Sequence, residues 1–332
     1  MNTKYLWQLR KLLLILLISS FLSLSYGDGS VSILDSWNFL TGQANQQTNF
    51  ILGDIRLPRI LVCLLAGASL GLSGSLLQTF THNPLADSST LGINAGAGLM
   101  ISIVISQGIY TDPIIISFLP LLAILGGLGS LALVFSLAHQ KGQALSPVKI
   151  ILTGVILSSI LFSSIIAITG RINQQNLAYV IKWLSGQLVG NNWESLSIAG
   201  PPLILLWGVI YLQSHKYNIM SLKSETAISL GLQSQKESYI LLLLTSCLVS
   251  FSLILAGNIS FIGLLASHIS KHFLPADHRL TLPASMLWGG LILLISDTLT
   301  RNFLIGSDIP TGIILSIIGA PYFLYLLYRH TC

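Results

Sequence analysis

A chain of 332 residues with 52% hydrophobic and only 8% charged side chains, and a mean hydropathy of +0.78, is excluded from the water-soluble globular class, where about a quarter of residues are charged. Its formal net charge is +5. The bilayer is its solvent, and no nucleic-acid partner is expected.

Apolar runs near the ~20 residues that cross ~30 Å of hydrocarbon fall at about 6–26, 57–80, 91–110, 113–138, 148–169, 195–213, 238–256, 258–273, 283–300 and 309–328. The eighth is short and polar, so nine or ten spans are expected; ten set both termini on one side of the membrane. Residues 1–27 also have the form of a signal peptide, with Lys4, Arg10 and Lys11 before the run Leu12 to Leu24. In a chain already full of spans, an uncleaved first helix is the expectation. Cytoplasmic loops carry the excess of positive charge. A cytoplasmic N-terminus puts Lys4, Arg10, Lys11, Lys141, Lys149, Lys216, Lys223, Lys236, Lys271, Arg279 and Arg329 inside, and leaves Arg56, Arg59, Arg171, Lys182 and Arg301 outside. Asp28, Asp35, Asp54, Asp112, Glu194, Asp297 and Asp308 then face outward.

Several features interrupt the apolar background. Arg56 and Arg59 flank Leu57-Pro58 at the external start of the second span, where proline suits a first helical turn because its missing N–H is not needed. Two guanidinium groups there serve either as headgroup anchors or as bidentate partners for carboxylates of another protein. Gly67, Gly71 and Ser75 recur at four-residue spacing, as do Gly92 and Gly96, and Gly126, Gly127, Gly129 and Ser130 cluster; such faces let helix backbones approach closely. His82-Asn83-Pro84-Leu85-Ala86-Asp87-Ser88 breaks the chain on the cytoplasmic side: proline stops one helix and Asp87 or Ser88 caps the next. In the longest cytoplasmic loop, about His215 to Glu237, the run Asn218 to Gly231 is made too apolar for a solvated linker by Ala227, Ile228, Leu230 and Gly231, yet is too polar and short to span. It reads as a surface helix ended by Gly231 and covered by a soluble partner.

The spans carry few ionisable groups at membrane depth. Asp297 and Arg301, at i and i+4, read as a local ion pair, and His268 as a hydrogen-bonded structural histidine. An ion-coupled secondary transporter, the alternative reading, wants its own buried coupling site. GxxxxGK[ST] is absent, so the chain has no nucleotide loop of that kind, and no DxxD-like carboxylate pair lies at a membrane face. Cys63, Cys247 and Cys332 lack metal or redox spacing. No catalytic, cofactor or metal-ligating residue is expected.

Taken in order, RLPR, LAGASLGLSG with the following Gln78, NPLAD, LGINAGAG, LTGV, Trp183-x-x-Gly186 with Trp193, Glu225-x-Ala227-x-x-x-Gly231, GNISFIGLL with His268, DHR, LP, Asp297 with Arg301, and IPTGI with IGAPYFLYLLYR resemble the FecCD permease family. Its members are membrane subunits of ABC importers for ferric siderophores, haem and cobalamin, and the resemblance covers about residues 50–329. It implies an all-α polytopic fold of about ten transmembrane helices, a single permease domain over residues 1–332 in a bacterial cytoplasmic membrane, and both termini cytoplasmic. The implied partners are two copies of an ABC ATPase subunit, a substrate-binding protein, a second permease subunit, identical or different, and a ferric chelate, haem or cobalamin as cargo. ATP hydrolysis then belongs to the ATPase subunit. Carried over residue by residue, the resemblance makes Glu225, Ala227, Leu230 and Gly231 part of the ATPase-coupling helix. It turns Arg56, Arg59 and Arg301 toward acidic residues of the binding protein and sets Asn83, Pro84 and Leu85 near the inner gate. The chain departs from the family pattern at Ala266-Ser267, where valine or isoleucine and proline are usual, and at Lys271, where arginine is usual. It departs again at Ser224, in place of glycine, and at Ser88-Ser89, in place of proline. The loss of proline removes an expected kink from the eighth helix.

Overall fold

The computed structural model describes residues 3–26, 31–107, 113–139, 146–188, 192–222, 224–303 and 309–331. The helices are α1 (Thr3–Ser25), α2 (Ile33–Leu40), α3 (Gln46–Asn49), a π-helical segment Phe50–Arg56, α4 (Leu57–Thr81), α5 (Ile93–Ser106), α6 (Pro113–Ala138), α7 (Pro147–Thr169) and α8 (Gln174–Leu184). They continue as α9 (Trp193–Leu212), α10 (Ser214–Met220), α11 (Ser224–Ser229), α12 (Ser234–Ala256), α13 (Ile262–Phe273), α14 (His278–Phe303) and α15 (Thr311–Thr331). No strand occurs among the described residues. Of the charges used to orient the chain, Asp28, Asp112, Lys141, Lys223 and Asp308 lie outside the described residues, as does Cys332.

Eight helical segments are long and apolar enough to cross a bilayer: α1, the continuous run Gln46–Thr81, α6, α7, α9, α12, α14 and α15. The other two expected spans are shorter. α5 has 14 residues and α13 has 12, about 21 and 18 Å at 1.5 Å per residue. Backbone geometry sets both starts. Gly92, at φ 76°, turns the chain into α5, and Gly257 (φ 68°) and Phe261 (φ 69°) hold the link from α12 to α13 in the left-handed region. The missing proline at Ala266-Ser267 leaves α13 an uninterrupted helix from Ile262 to Phe273.

The second span begins earlier than the Leu57-Pro58 pair suggested. Helix runs unbroken through the π segment into α4, with Leu57 N–H bonded five residues back to Leu52 O. The wider π turn accommodates a proline that would clash with, and fail to donate to, a regular preceding turn. In this five-residue register Pro58 would have served Gly53 O. That carbonyl instead accepts from the Trp193 indole Nε1–H at 3.2 Å. Trp193→Phe keeps the ring and deletes the donor, and should lower stability by about 1 kcal/mol in a thermal melt of the purified protein; an unchanged midpoint would assign the carbonyl to solvent.

α4 is the axis of the bundle. It is buried along nearly its whole length, whereas α7, α9 and α15 turn Ile156, Leu205 and Ile317 outward, as lipid or a partner helix requires. One core runs from Leu24 of α1 to Leu315 of α15. Three faces of small residues let backbones meet: Gly67 and Gly71 of α4 lie against Gly289 and Ser285 of α14, Gly74 against Gly263 of α13, and Gly96 of α5 against Gly126 of α6. Cys63 is buried beside them. Serine and threonine hydroxyls mostly donate to carbonyls one turn back, as Thr79 does to Ser75 O and Ser158 to Gly154 O. Inside an apolar bundle this satisfies them.

Candidate functional site

At the end of the bundle where α1 finishes and α4 starts, three arginines converge on two different kinds of acceptor. Asp297 of α14 is fully buried. Arg59 Nε donates to its two oxygens at 3.0 and 3.1 Å and Arg59 Nη2 to Oδ1 at 2.8 Å. Arg301 Nε reaches the same carboxylate at 3.1 Å, one helical turn on, and Thr311 of α15 donates to it at 3.3 Å. Arg301 Nη2 also donates to Ser23 Oγ of α1 at 2.7 Å. The expected local pair is therefore a four-helix junction. Arg59 retains 26% side-chain exposure and Arg301 9%. Arg56 is placed differently from the outward-facing position expected of it. It is 3% exposed, and its guanidinium donates to Leu24 O at 2.7 Å and Ser25 O at 3.3 Å. These are carbonyls of the last turn of α1, which lack helical donors. Docking through Arg56 would require α1 to let go.

Midway along the bundle, four separated motifs meet. Asn258 N–H donates to Trp183 O at 3.1 Å and Asn258 Nδ2 to Leu184 O at 3.2 Å, so the turn between α12 and α13 caps the end of α8. Gly312 N–H of α15 donates to Gly186 O at 3.1 Å. A Cβ at Gly312 would meet the Ser185 carbonyl, and only glycine permits this approach. From the other side Asn94 Nδ2 of α5 donates to Asn258 Oδ1 at 2.8 Å. A crevice of about 360 Å³ opens there, lined in part by Ser185, Asn258, Ser260, Gly312 and Ser316. Hydroxyls and an amide at this depth, with no charged side chain in the lining, suit the passage of a solute that must not be held tightly.

The opposite end carries the HNPLAD turn and the α10–α11 segment, a bundle length away from the arginines. His82 ends α4 in the left-handed conformation. Asn83 Oδ1 accepts from Leu85 N–H at 2.9 Å, an Asx turn that Pro84 fits. Asn83 is exposed, and Pro84 and Leu85 are half-buried. Asp87 occupies the cap position of a short 3₁₀ turn, Ser88–Leu91, but its side chain makes no cap bond there. It is buried, and one of its oxygens accepts both from the Ser89 hydroxyl at 3.3 Å and from Phe261 N–H at the start of α13, also at 3.3 Å. That 174-residue connection gave no local sequence signal.

The expected single surface helix is two, α10 and α11. α11 closes as a Schellman motif: Gly231, φ 83°, donates to Ile228 O, and Leu232 N–H donates to Ala227 O. Ala227 is buried, whereas Glu225, Ile228 and Leu230 are exposed. α10 is tied inward by Asn218. Its Oδ1 accepts from the N–H and ring Nδ1 of His278 at 2.7 Å each, and its Nδ2 donates to Asp277 Oδ1 at 2.8 Å. Burial alone would raise the Asp277 carboxyl. The Asn218 and Arg279 N–H donors and the nearby Arg279 and His278 charges outweigh it and hold the group below the ordinary carboxylate value. The other His278 nitrogen lies 2.7 Å from Thr79 Oγ1 of α4. Asn218 opens the run read as a surface helix but had no role assigned to it; DHR, quoted in the resemblance, is what it grips.

The family model described as the FecCD transport family matches residues 15–329. The chain is 32% identical over 323 residues, 95% of each chain, to the iron(3+)-hydroxamate import system permease protein FhuG of Bacillus subtilis strain 168. It is 31% identical over 319 residues, covering 96% of this chain and 94% of the other, to the hemin transport system permease protein HmuU of Yersinia pestis. A solved inward-facing metal-chelate type ABC transporter aligns with a TM-score of 0.83 at 30% identity, over 98% of this chain and 99% of that one.

Proposed function

The chain belongs to the FecCD transport family, and from that premise we propose that it forms, with a second permease subunit, the translocation path of an ABC importer for a ferric siderophore, with haem or cobalamin as the other cargo classes. It is a multi-pass membrane protein. Its work is conformational: it offers alternating access, and a separate ATPase subunit hydrolyses ATP. We assign the inner gate to Asn83, Pro84 and Leu85, the ATPase seat to α11 with Glu225, Ala227, Leu230 and Gly231, and binding-protein docking to Arg59 and Arg301, with Arg56 bracing α1 beneath them. Both termini and α11 then lie in the cytoplasm, on the charge asymmetry of the loops.

The observation that carries this reading is the separation of two unlike surfaces along one buried helix. α4 runs from the arginine cluster to the turn beside α10, and Asn218, His278 and Thr79 connect that turn to the segment bearing α11. The exposed Ile228 and Leu230 suit a groove on a soluble partner, where burying one such side chain contributes about 1.5–3 kcal/mol.

The test is co-purification and ATPase activity of the permease with its ATPase subunit and binding protein in nanodiscs, comparing wild type with Leu230→Glu. The variant should capture the ATPase subunit at least tenfold more weakly, and binding-protein stimulation should fall with it. If no ATPase subunit binds wild type and cargo uptake follows an imposed proton or sodium gradient, the chain is an ion-coupled carrier instead.

A further inference from the structure

A cavity of about 310 Å³ lies at the α10 end of the bundle, beneath the C-terminus of α4, and Gln78, Thr79, His82, Lys271 and His278 are among its lining residues. Its polar groups do not balance. Thr79 and both nitrogens of His278 are engaged with each other, Ser75 and Asn218, and His82 Nε2 faces Leu222 O at 3.3 Å. Gln78 is 3% exposed. Its Oε1 accepts from Ser267 Oγ at 2.7 Å and from Lys271 Nζ at 2.9 Å, which uses both lone pairs. Its Nε2, carrying two N–H donors, is buried with no partner. Lys271 has three donors and spends one on Gln78. Among the described residues no carboxylate pairs with it, and Asp277, the acid nearest in sequence, is occupied by Asn218 and the Arg279 N–H. The cavity, open to solvent at the exposed Lys271, thus offers a cation and an orphaned amide donor, and no carboxylate is among its lining residues. An orphaned buried donor is costly, so this arrangement is more stable when an acceptor fills it.

We propose that the Gln78–Lys271 cavity is an oxyanion-binding site that takes a carboxylate or phosphate group, held by the Lys271 ammonium and the Gln78 amide N–H. Ser267 positions the site: its hydroxyl and the ammonium fix Gln78 Oε1 between them, so the amide turns its donors away from both. The proline usual at position 267 would have no hydroxyl to give, and arginine at 271 would present a planar fork in place of a compact ammonium. Arginine would still supply the positive charge, so the Ser267 hydroxyl that orients Gln78 is the feature that distinguishes this site. The same chemistry is available from a soluble anion and from a lipid headgroup.

Binding is measured on the permease alone, so the outcome is independent of the transport assignment. Equilibrium dialysis with labelled citrate and with inorganic phosphate is run on protein in phosphatidylcholine nanodiscs, with chloride balancing ionic strength. Thermal midpoints are recorded in parallel, with and without phosphatidylglycerol in the disc. The site predicts saturable binding to wild type that is retained in Lys271→Arg and at least tenfold weaker in Lys271→Met and Gln78→Glu. If only phosphatidylglycerol raises the midpoint, and only when Lys271 or Arg is present, the occupant is a lipid phosphate and the oxyanion site stands. Absence of saturable binding to wild type together with no lipid response overturns the proposal, whether or not the variants fold. So does an equal response in Lys271→Met.

Discussion

Asp297→Ala should destabilise the folded protein by about 3–5 kcal/mol, the cost of removing one partner from a buried ion pair. The carboxylate is fully buried and answers two guanidinium groups at once, so its loss leaves the Arg59 and Arg301 charges without their shared carboxylate. It also frees the hydroxyl of Thr311 at the start of α15. The partial exposure of Arg59 moderates the cost toward the lower figure. The control is the same change on an Arg59→Leu/Arg301→Leu background, where the charges to be stranded are already gone; there it should cost less than half as much, a coupling that a double-mutant cycle isolates. Thermal or denaturant unfolding in detergent reads both. Equal costs on the two backgrounds would mean that Asp297 matters by itself and not as the hub of the junction.

Gly74→Val should prevent the bundle from packing, and Gly74→Ala should destabilise it by about 2–3 kcal/mol, the upper range for overpacking a tight core. A Cβ at Gly74 points into the backbone of Gly263, where nothing flexible can yield. The opposite sign is expected at Gly208 of α9. Nothing lies within 4 Å of a Cβ built there, and alanine in an open helical position should gain up to about 1 kcal/mol. Yield of monodisperse protein and its thermal midpoint distinguish the pair. Normal assembly of Gly74→Val would mean that α4 and α13 stand further apart than described.

The sequence was legible where the physics is local. The spans announced themselves by hydropathy, Gly231 announced the end of α11, and Gly67 and Gly71 announced a close-packed face of α4. What failed was everything that depends on a distant partner. The glycine spacing did not reveal that Gly289 and Ser285 lie opposite. Asp87 read as a cap because caps are a local device, yet besides the local Ser89 hydroxyl it holds the distant Phe261 N–H. Arg56 read as exposed because charged residues at a helix start usually are, while the unpaired carbonyls ending α1 buried it. The short α2, the π segment and α8 escaped a search tuned to runs of about 20 apolar residues. Their amphipathic or irregular character carries little hydropathy signal, although α8 ends at the crevice on which four quoted motifs converge.

The interlocked backbones of α4, α13 and α14 constrain how this protein can move. With Gly67 against Gly289, Gly71 against Ser285 and Gly74 against Gly263, sliding one helix along another by even part of a turn would bring larger side chains into these contacts. The trio therefore behaves as one stiff lever. Under the proposed function, a push delivered at Asn218 would reach the far end as a tilt of the whole lever, and α12, which packs on both α4 and the α5–α6 pair, is the element that such a tilt would strain.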